Sequence, residues 1–389
     1  MMATLRGLIV PAVACTLACG DGPTGNGELP PYEYTVPPVT SDGWATASLA
    51  DVGLDVERFV HLVDVIRVGT YANVHGIVIV KDDRLVFEEY FAGQTFEGAV
   101  GNQIIGSQTQ FDRNRRHNLA SVTKSVTSTI LGIAIDKGLV SGVDAAVYDF
   151  FPEHADLRDE ARKDSITLHH MLTMTSGLDW DEQTYGYGDS RNDINALFSQ
   201  SDPVRYILAK AAVDPPGERW LYNGGGTNIL GQVVRQASGQ TLEAFANEHL
   251  FGPLGVTNPD WVHLAGPMTY ASGDLKIRPR DMAKIGYLFI NGGEWNGQRV
   301  ISPEWIAESV EYRKETRDPR WGYGYQWWLF DYPANGRTYP SFGARGWGGQ
   351  IITMFPELDM VVVLTGGNYL TSDPTDAIIR QFVLDALLP

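Results

Sequence analysis

Between residues 55 and 68 the chain reads DVERFVHLVDVIRV, with apolar side chains returning every three or four positions, and that spacing predicts a helix with one buried face. The next stretch, HGIVIVKDDRLVFEEYFAG over 75–93, has two β-rich runs around Lys81-Asp82-Asp83-Arg84 and predicts a hairpin. The far end of the chain repeats the theme. GGQIITMFPELDMVVVLTGG again has two β-rich runs, here around Pro356-Glu357, and DPTDAIIRQFVLDALL reads as a closing amphipathic helix with Asp373 and Pro374 at its start. From about 121 to 265 the periodicity turns helical, at SVTSTILGIAIDKG, SITLHHMLTM, PVRYILAKAA and TNILGQVVRQASG. The expected fold is therefore α+β: an antiparallel sheet flanked by helices, with a mainly helical region inserted over about 138–265 and a cleft where the two meet.

The N-terminus follows a different pattern. MMATLRGLIVPAVACTLACG sets one Arg before a short apolar run that ends in small residues, as an export signal does, and the run is too short to span a bilayer. TLAC before Gly20 resembles a lipoprotein processing site at Cys19, although Thr16 stands where such sites favour Leu. Residues 1–19 are thus expected to be an export signal, 20–45 a Gly/Pro/Thr-rich tether, and 46–389 the functional domain. The expected location is periplasmic, with a lipid anchor on Cys19, or secreted. Cys15 and Cys19 are the only cysteines, so the domain itself has no disulfide, cysteine nucleophile or thiolate metal site. A formal charge of -17 argues against nucleic acid or an anionic membrane surface as partner, leaving the lipid anchor as the one expected membrane contact.

The chemistry centres on LASVTKS, residues 119–125. Ser121 opens the helical run, where its backbone N–H has no partner within the helix and the positive end of the helix dipole lies behind it. Lys124, three residues on, shares its face and can act as a base if burial or a neighbouring positive charge keeps it neutral. By itself the tetrad more commonly describes an N-cap and a solvated lysine. No other Ser-x-x-Lys occurs in the chain. His169-His170 face apart on a helix and lack metal-site company, and no Gly-x-Ser-x-Gly elbow, phosphate loop or dinucleotide fingerprint is present, so neither metal nor cofactor is expected.

Six segments in order give the tetrad a context: NLASVTKSVTSTILGIAIDKGLV, LHHMLTMTSGLDW, PGERWLYNGGGTNILGQVV, ASGDLKIRPRDMAKIGYLFINGGEWNGQRVISPEWI, WGYGYQWWL and GWGGQIITMFPELDMVVVLTGG. Across roughly 50–388 the chain resembles the serine β-lactamase and penicillin-binding-protein superfamily. That resemblance implies Ser121 as nucleophile, with Lys124 and Tyr222 moving its proton. It also implies an oxyanion hole from the backbone N–H groups of Ser121 and Gln350, and substrate contacts from Asn223, Trp347, Gly348 and Gly349. Where antibiotic-active members show Tyr-x-Asn and Lys-Thr-Gly, this chain has Tyr222-Asn223-Gly224 and Trp347-Gly348-Gly349, a pattern closer to the superfamily's carboxylesterases and 6-aminohexanoate-dimer hydrolases. Arg345 is the one nearby cation that could replace the missing lysine.

Aromatic residues crowd these motifs (Trp180, Trp321, Tyr323, Tyr325, Trp327 and Trp328), and Tyr185 and Tyr187 sit in a loop, DEQTYGYGDSRND, placed to cover the cleft. The function expected is an exported serine hydrolase cleaving a small ester or linear amide through an acyl-enzyme on Ser121. The alternatives are a D-alanyl-D-alanine peptidase or β-lactamase, and a non-catalytic binding or sensor module of the same fold.

Overall fold

Asp82 and Asp83, at φ +50° and +63°, make a two-residue turn of the hand that suits a twisted hairpin, and β2 (Val74–Lys81) and β3 (Arg84–Tyr90) pair antiparallel across it. The computed structural model describes residues 30–100, 103–158 and 161–388. The C-terminal run pairs in the same way: β8 (Gln350–Phe355) and β9 (Met360–Gly366) flank a single turn over Pro356–Leu358. Because β9 also pairs with β2, the two predicted hairpins lie side by side at the centre of one sheet. The sheet is completed by β1 (Ala45–Thr46), β4 (Lys314–Glu315), β5 (Gly322–Tyr323), β6 (Trp328–Ala334) and β7 (Arg337–Gly346). Its strand order is β1-β3-β2-β9-β8-β7-β6-β5-β4, antiparallel throughout except for the β1/β3 pair.

Both faces of the central strands are buried, which explains runs such as VVVL that do not alternate. On one face Val78, Val80, Ile352, Met354, Val361 and Val363 pack with α2 (Val122–Asp136) and α4 (Pro279–Ile290). On the other, α1 (Val56–Arg67), capped by the Asp55 carboxylate, sets Phe59 against Phe87 at 4.8 Å between ring centroids. The closing helix begins at α5 (Thr375–Ile378) and continues as a wider π turn over Ile379–Leu384. The α+β class and the flanking helices are as expected.

Between the sheet halves the chain is helical but broken into short pieces, among them Leu168–Leu172, Asp193–Leu197 and Pro203–Leu208. Within 138–265 the long helix is α3 (Gly224–Ser238), which packs along α2. Two small antiparallel pairs, Ala92–Gln94 with Gln108–Gln110 and Gly98–Val100 with Gln103–Ile105, were not legible in the hydrophobic pattern. Their faces are largely exposed, so little apolar periodicity marks them.

The chain divides into Met1–Tyr32 and Glu33–Pro389. The export signal, Cys15, Cys19 and the first part of the tether lie outside the described residues. The tether expectation for 20–45 does not hold for its second part, because the main unit begins at Glu33 rather than at 46. The Tyr34 hydroxyl donates to Val86 O and accepts from Leu49 N, and Trp44 is buried against Tyr287 and Trp295. Arg280 fixes the segment. Its guanidinium donates to Pro38 O, Thr40 Oγ1, Asp42 and both Glu88 oxygens. Pro and Gly content suggested a linker; one saturated, buried arginine makes it part of the domain.

Candidate active site

Ser121 stands at the N-cap of α2, preceded by Ala120 at φ +45°, an uncommon conformation for a residue with a side chain. The tight turn leaves the Ser121 N–H without a backbone acceptor, and α2 carries Lys124 one turn on. Lys124 is 3% exposed and its Nζ lies 3.3 Å from Ser121 Oγ. The same ammonium donates to Ser272 O at 2.8 Å and sits 4.7 Å above the centre of the Tyr222 ring. Ser121, Lys124 and Tyr222 therefore converge, as the resemblance implied. Tyr222 is held by packing among Trp220, Tyr323 and Trp328, and its hydroxyl makes no hydrogen bond among the described residues.

Sequence reasoning missed the fourth member. Glu182, also buried, points Oε1 at Lys124 Nζ from 3.8 Å, while Oε2 accepts from Trp180 Nε1 at 2.7 Å and from Gly224 N at 2.5 Å. Expectation placed desolvation or a neighbouring positive charge beside the lysine; the structure places a carboxylate there. Whenever this buried amine carries a proton it requires a counter-charge, and Glu182 is the carboxylate within reach. A side chain at Gly224 would meet Glu182 Oε2 at 2.7 Å, so the glycine-rich start of α3 is what lets the carboxylate reach its backbone. The one available signal was that Glu182 opens the loop already suspected of covering the cleft.

The substrate-contact residues divide. Trp347 faces the site: it lines a cavity of ≈170 Å³ and a wider cleft of ≈600 Å³ that meet at Ser121. Gly348 and Gly349, at φ +88° and +89°, shape the turn after β7 and line neither space; Gly348 lies against Tyr369 instead. Asn223 caps α3, its Oδ1 accepting from Gly226 N, and it too lines neither space. Gln350, whose backbone N–H the resemblance assigned to the oxyanion hole, lines neither space. It is fully buried and its side chain ties Trp347 O to the Gly366 backbone, a brace for the turn.

The strand residue that comes closest to the Ser121 backbone is Gly346. A Cβ there would fall 2.4 Å from Leu119 O and 3.1 Å from Ser121 N, so only glycine lets β7 lie this close. The next N–H, that of Trp347, donates to no backbone carbonyl among the described residues, as is also true of Ser121. Arg345 lines the wider cleft but is engaged with Asp376 at 2.9 Å and stacked over Trp321. Tyr185 and Tyr187 border the clefts from the 181–193 loop, as expected, with Tyr187 5.0 Å from the Trp347 ring. His169 bonds Tyr325 and His170 bonds Thr167, both structural roles.

Electrostatics around the cavity favour neutral phenols. Burial, reinforced by Glu182, pushes Tyr187 well above the ordinary tyrosine range, and burial with Asp274 does the same to Tyr270. Burial also raises the Asp274 carboxyl, against the opposing pull of Asn118, Lys276 and Lys124.

This arrangement matches a known family. The Beta-lactamase family model covers residues 68–385, and the chain belongs to that family. The chain is 29% identical over 251 residues to monacolin J acid methylbutanoyltransferase of Aspergillus terreus, covering 58% of this chain and 59% of that protein, so it spans well under two thirds of that relative's length. It is 24% identical over 286 residues to 6-aminohexanoate-dimer hydrolase of Paenarthrobacter ureafaciens, covering 68% and 69%. The crystal structure of a family VIII carboxylesterase superposes with a TM-score of 0.64 over 86% of this chain and 98% of that one, at 19% identity, and so shares the fold. By their names these relatives are an acyl-transfer enzyme and a hydrolase.

Proposed function

We propose that the protein cleaves a small ester or linear amide through an acyl-enzyme on Ser121. The observation that carries this is that Ser121 and Trp347, whose N–H groups have no backbone acceptor among the described residues, line one cavity with Lys124, whose Nζ is 3.3 Å from Ser121 Oγ. Ser121 Oγ attacks the carbonyl carbon while its proton passes to whichever of the Lys124–Tyr222 pair holds the basic form, the free amine of Lys124 or the phenolate oxygen of Tyr222 beside the Lys124 ammonium. The oxygen that gains charge is received by the two N–H groups, usually the largest electrostatic contribution in acyl transfer. The proton then goes to the leaving alcohol or amine, and water repeats the sequence to release the acid.

The relatives support acyl chemistry on this fold but differ in acceptor, one a dimer hydrolase and one a methylbutanoyltransferase. Against the antibiotic reading stands Arg345, already paired with Asp376 and so not free to hold a carboxylate. An unpaired anion brought into such a site would lose several kcal/mol of hydration. The deciding experiment is mass spectrometry of the protein after a fluorophosphonate and after penicillin. A Ser121 adduct with the first alone supports the esterase or amidase reading. Adducts with both support the peptidase or β-lactamase, and adducts with neither support a non-catalytic module. Export with lipidation at Cys19 belongs to the same proposal and rests on the TLACG sequence. Palmitate labelling of the wild type but not of Cys19→Ala is its test.

A further inference from the structure

The cavity of ≈170 Å³ beside Ser121 contains a charge that acyl transfer does not use. Its walls are mainly rings, Phe96, Tyr187, Phe198, Tyr270, Trp347 and Tyr369, and its only charged linings are Lys124 and Asp274. Lys124 is answered by Glu182, Ser272 O and Ser121 Oγ. Asp274 has no ion-pair partner among the described residues: its side chain is hydrogen-bonded by Asn118, and Lys276, two residues on, is engaged with Asp260 at 3.4 Å. Its backbone sits at φ +62°, in the left-handed region that Asp and Asn enter more readily than other residues with side chains.

A purely apolar chain entering this cavity would cover an unpaired carboxylate, at a cost in lost hydration. A cation would reverse that cost, since the carboxylate supplies opposite charge and the ring faces supply cation–π attraction. We propose that this cavity binds an ammonium group, primary or quaternary, carried by the ester or amide whose carbonyl reaches Ser121, with Asp274 as the residue that selects it. The identity of the bond cleaved rests on the hydrolase reading above; the cation site does not.

Two isosteric substrate pairs test it, each compared by kcat/KM. On the acyl side, p-nitrophenyl 6-aminohexanoate is set against p-nitrophenyl heptanoate. On the leaving-group side, butyrylcholine is set against 3,3-dimethylbutyl butyrate. The cationic member should lead by about tenfold or more in one pair, which identifies the side that enters the cavity. Asp274→Asn, tolerated at this φ, should collapse that ratio towards one. No cationic lead in either pair, or a lead that survives Asp274→Asn, overturns the proposal.

A binding measurement separates this idea from the hydrolase reading. Calorimetry of Ser121→Ala with n-butyltrimethylammonium should show binding that is lost in the Ser121→Ala/Asp274→Asn double variant. Binding without any fluorophosphonate adduct or ester turnover in the wild type would leave the cation site standing and remove the hydrolase. Ester turnover with neither cationic preference nor cation binding would do the opposite.

Discussion

Glu182 Oε1 lies 3.8 Å from Lys124 Nζ with both side chains shut away from solvent, and the lysine beside Ser121 is therefore half of a buried ion pair. Removing the anion alone leaves an uncompensated charge. Glu182→Ala should destabilise the fold by about 3 kcal/mol, with Glu182→Gln losing less. Urea unfolding of both, alongside Lys124→Met/Glu182→Gln, is the check. The double variant should recover part of the loss; if it unfolds more readily than the worse single variant, the two residues are not acting as a pair.

Ser121→Ala should abolish turnover of a short-chain p-nitrophenyl ester without altering the thermal transition. Lys124→Ala should lose nearly as much, and the double variant should be no slower than the worse single one, because the two act as a unit. Activity surviving in pure Ser121→Ala protein removes this nucleophile.

At position 346 the limit is steric. Gly346→Ala would push a methyl to within 2.4 Å of Leu119 O, so either β7 or the turn carrying Ser121 must retreat. A shift of that kind in the oxyanion donors should lower kcat by about 10² or more, while the remote fold stays cooperative. Stopped-flow acylation against circular dichroism would show it; near-normal kcat would mean that β7 does not contribute to the oxyanion site.

Acid should be the condition this fold resists least. His75 Nδ1 and His117 Nε2 are 2.8 Å apart in the core, and burial holds the two rings well down, at about 3 and about 4. In the unfolded chain both take a proton near 6.5, so below that pH the unfolded state binds more protons than the native one. Stability contributed by the neutral pair is complete above about 6.5 and is lost progressively as the pH falls towards 4. Urea midpoints between pH 7 and 4 should trace this decline, and His75→Leu should flatten it. An unchanged slope in that variant would assign the acid sensitivity to other groups.

What the sequence made legible was local. The Asp82-Asp83 hairpin, α1, the β8/β9 hairpin and the Ser-x-x-Lys helix start each carry periodicity and punctuation within a few residues. The Glu182–Lys124 pair spans 58 positions of chain by subtraction of their numbers, and nothing in either neighbourhood announces it. The same limit explains the choice of Gln350 over Trp347. A glycine-rich turn tells that strands come close, but which N–H faces the nucleophile depends on register, and Gly346 pairs with Gln350 across the hairpin. Composition misread 33–45 for a related reason, since Arg280, which holds that stretch, is over 200 residues away.

The strap held by Arg280 brings β1 alongside β3, with Ala45 opposite Arg84 and Thr46 opposite Leu85, at the outermost position of the nine-stranded sheet. Without it β3 would present an open row of unpaired backbone groups, the template on which separate chains stack into aggregates. The segment that composition marks as a spacer thus also acts as a guard on the sheet's margin. Trimming the chain to start at 46, the obvious choice for a soluble fragment, would cut that guard in half and remove Trp44 and three partners of Arg280, Pro38, Thr40 and Asp42.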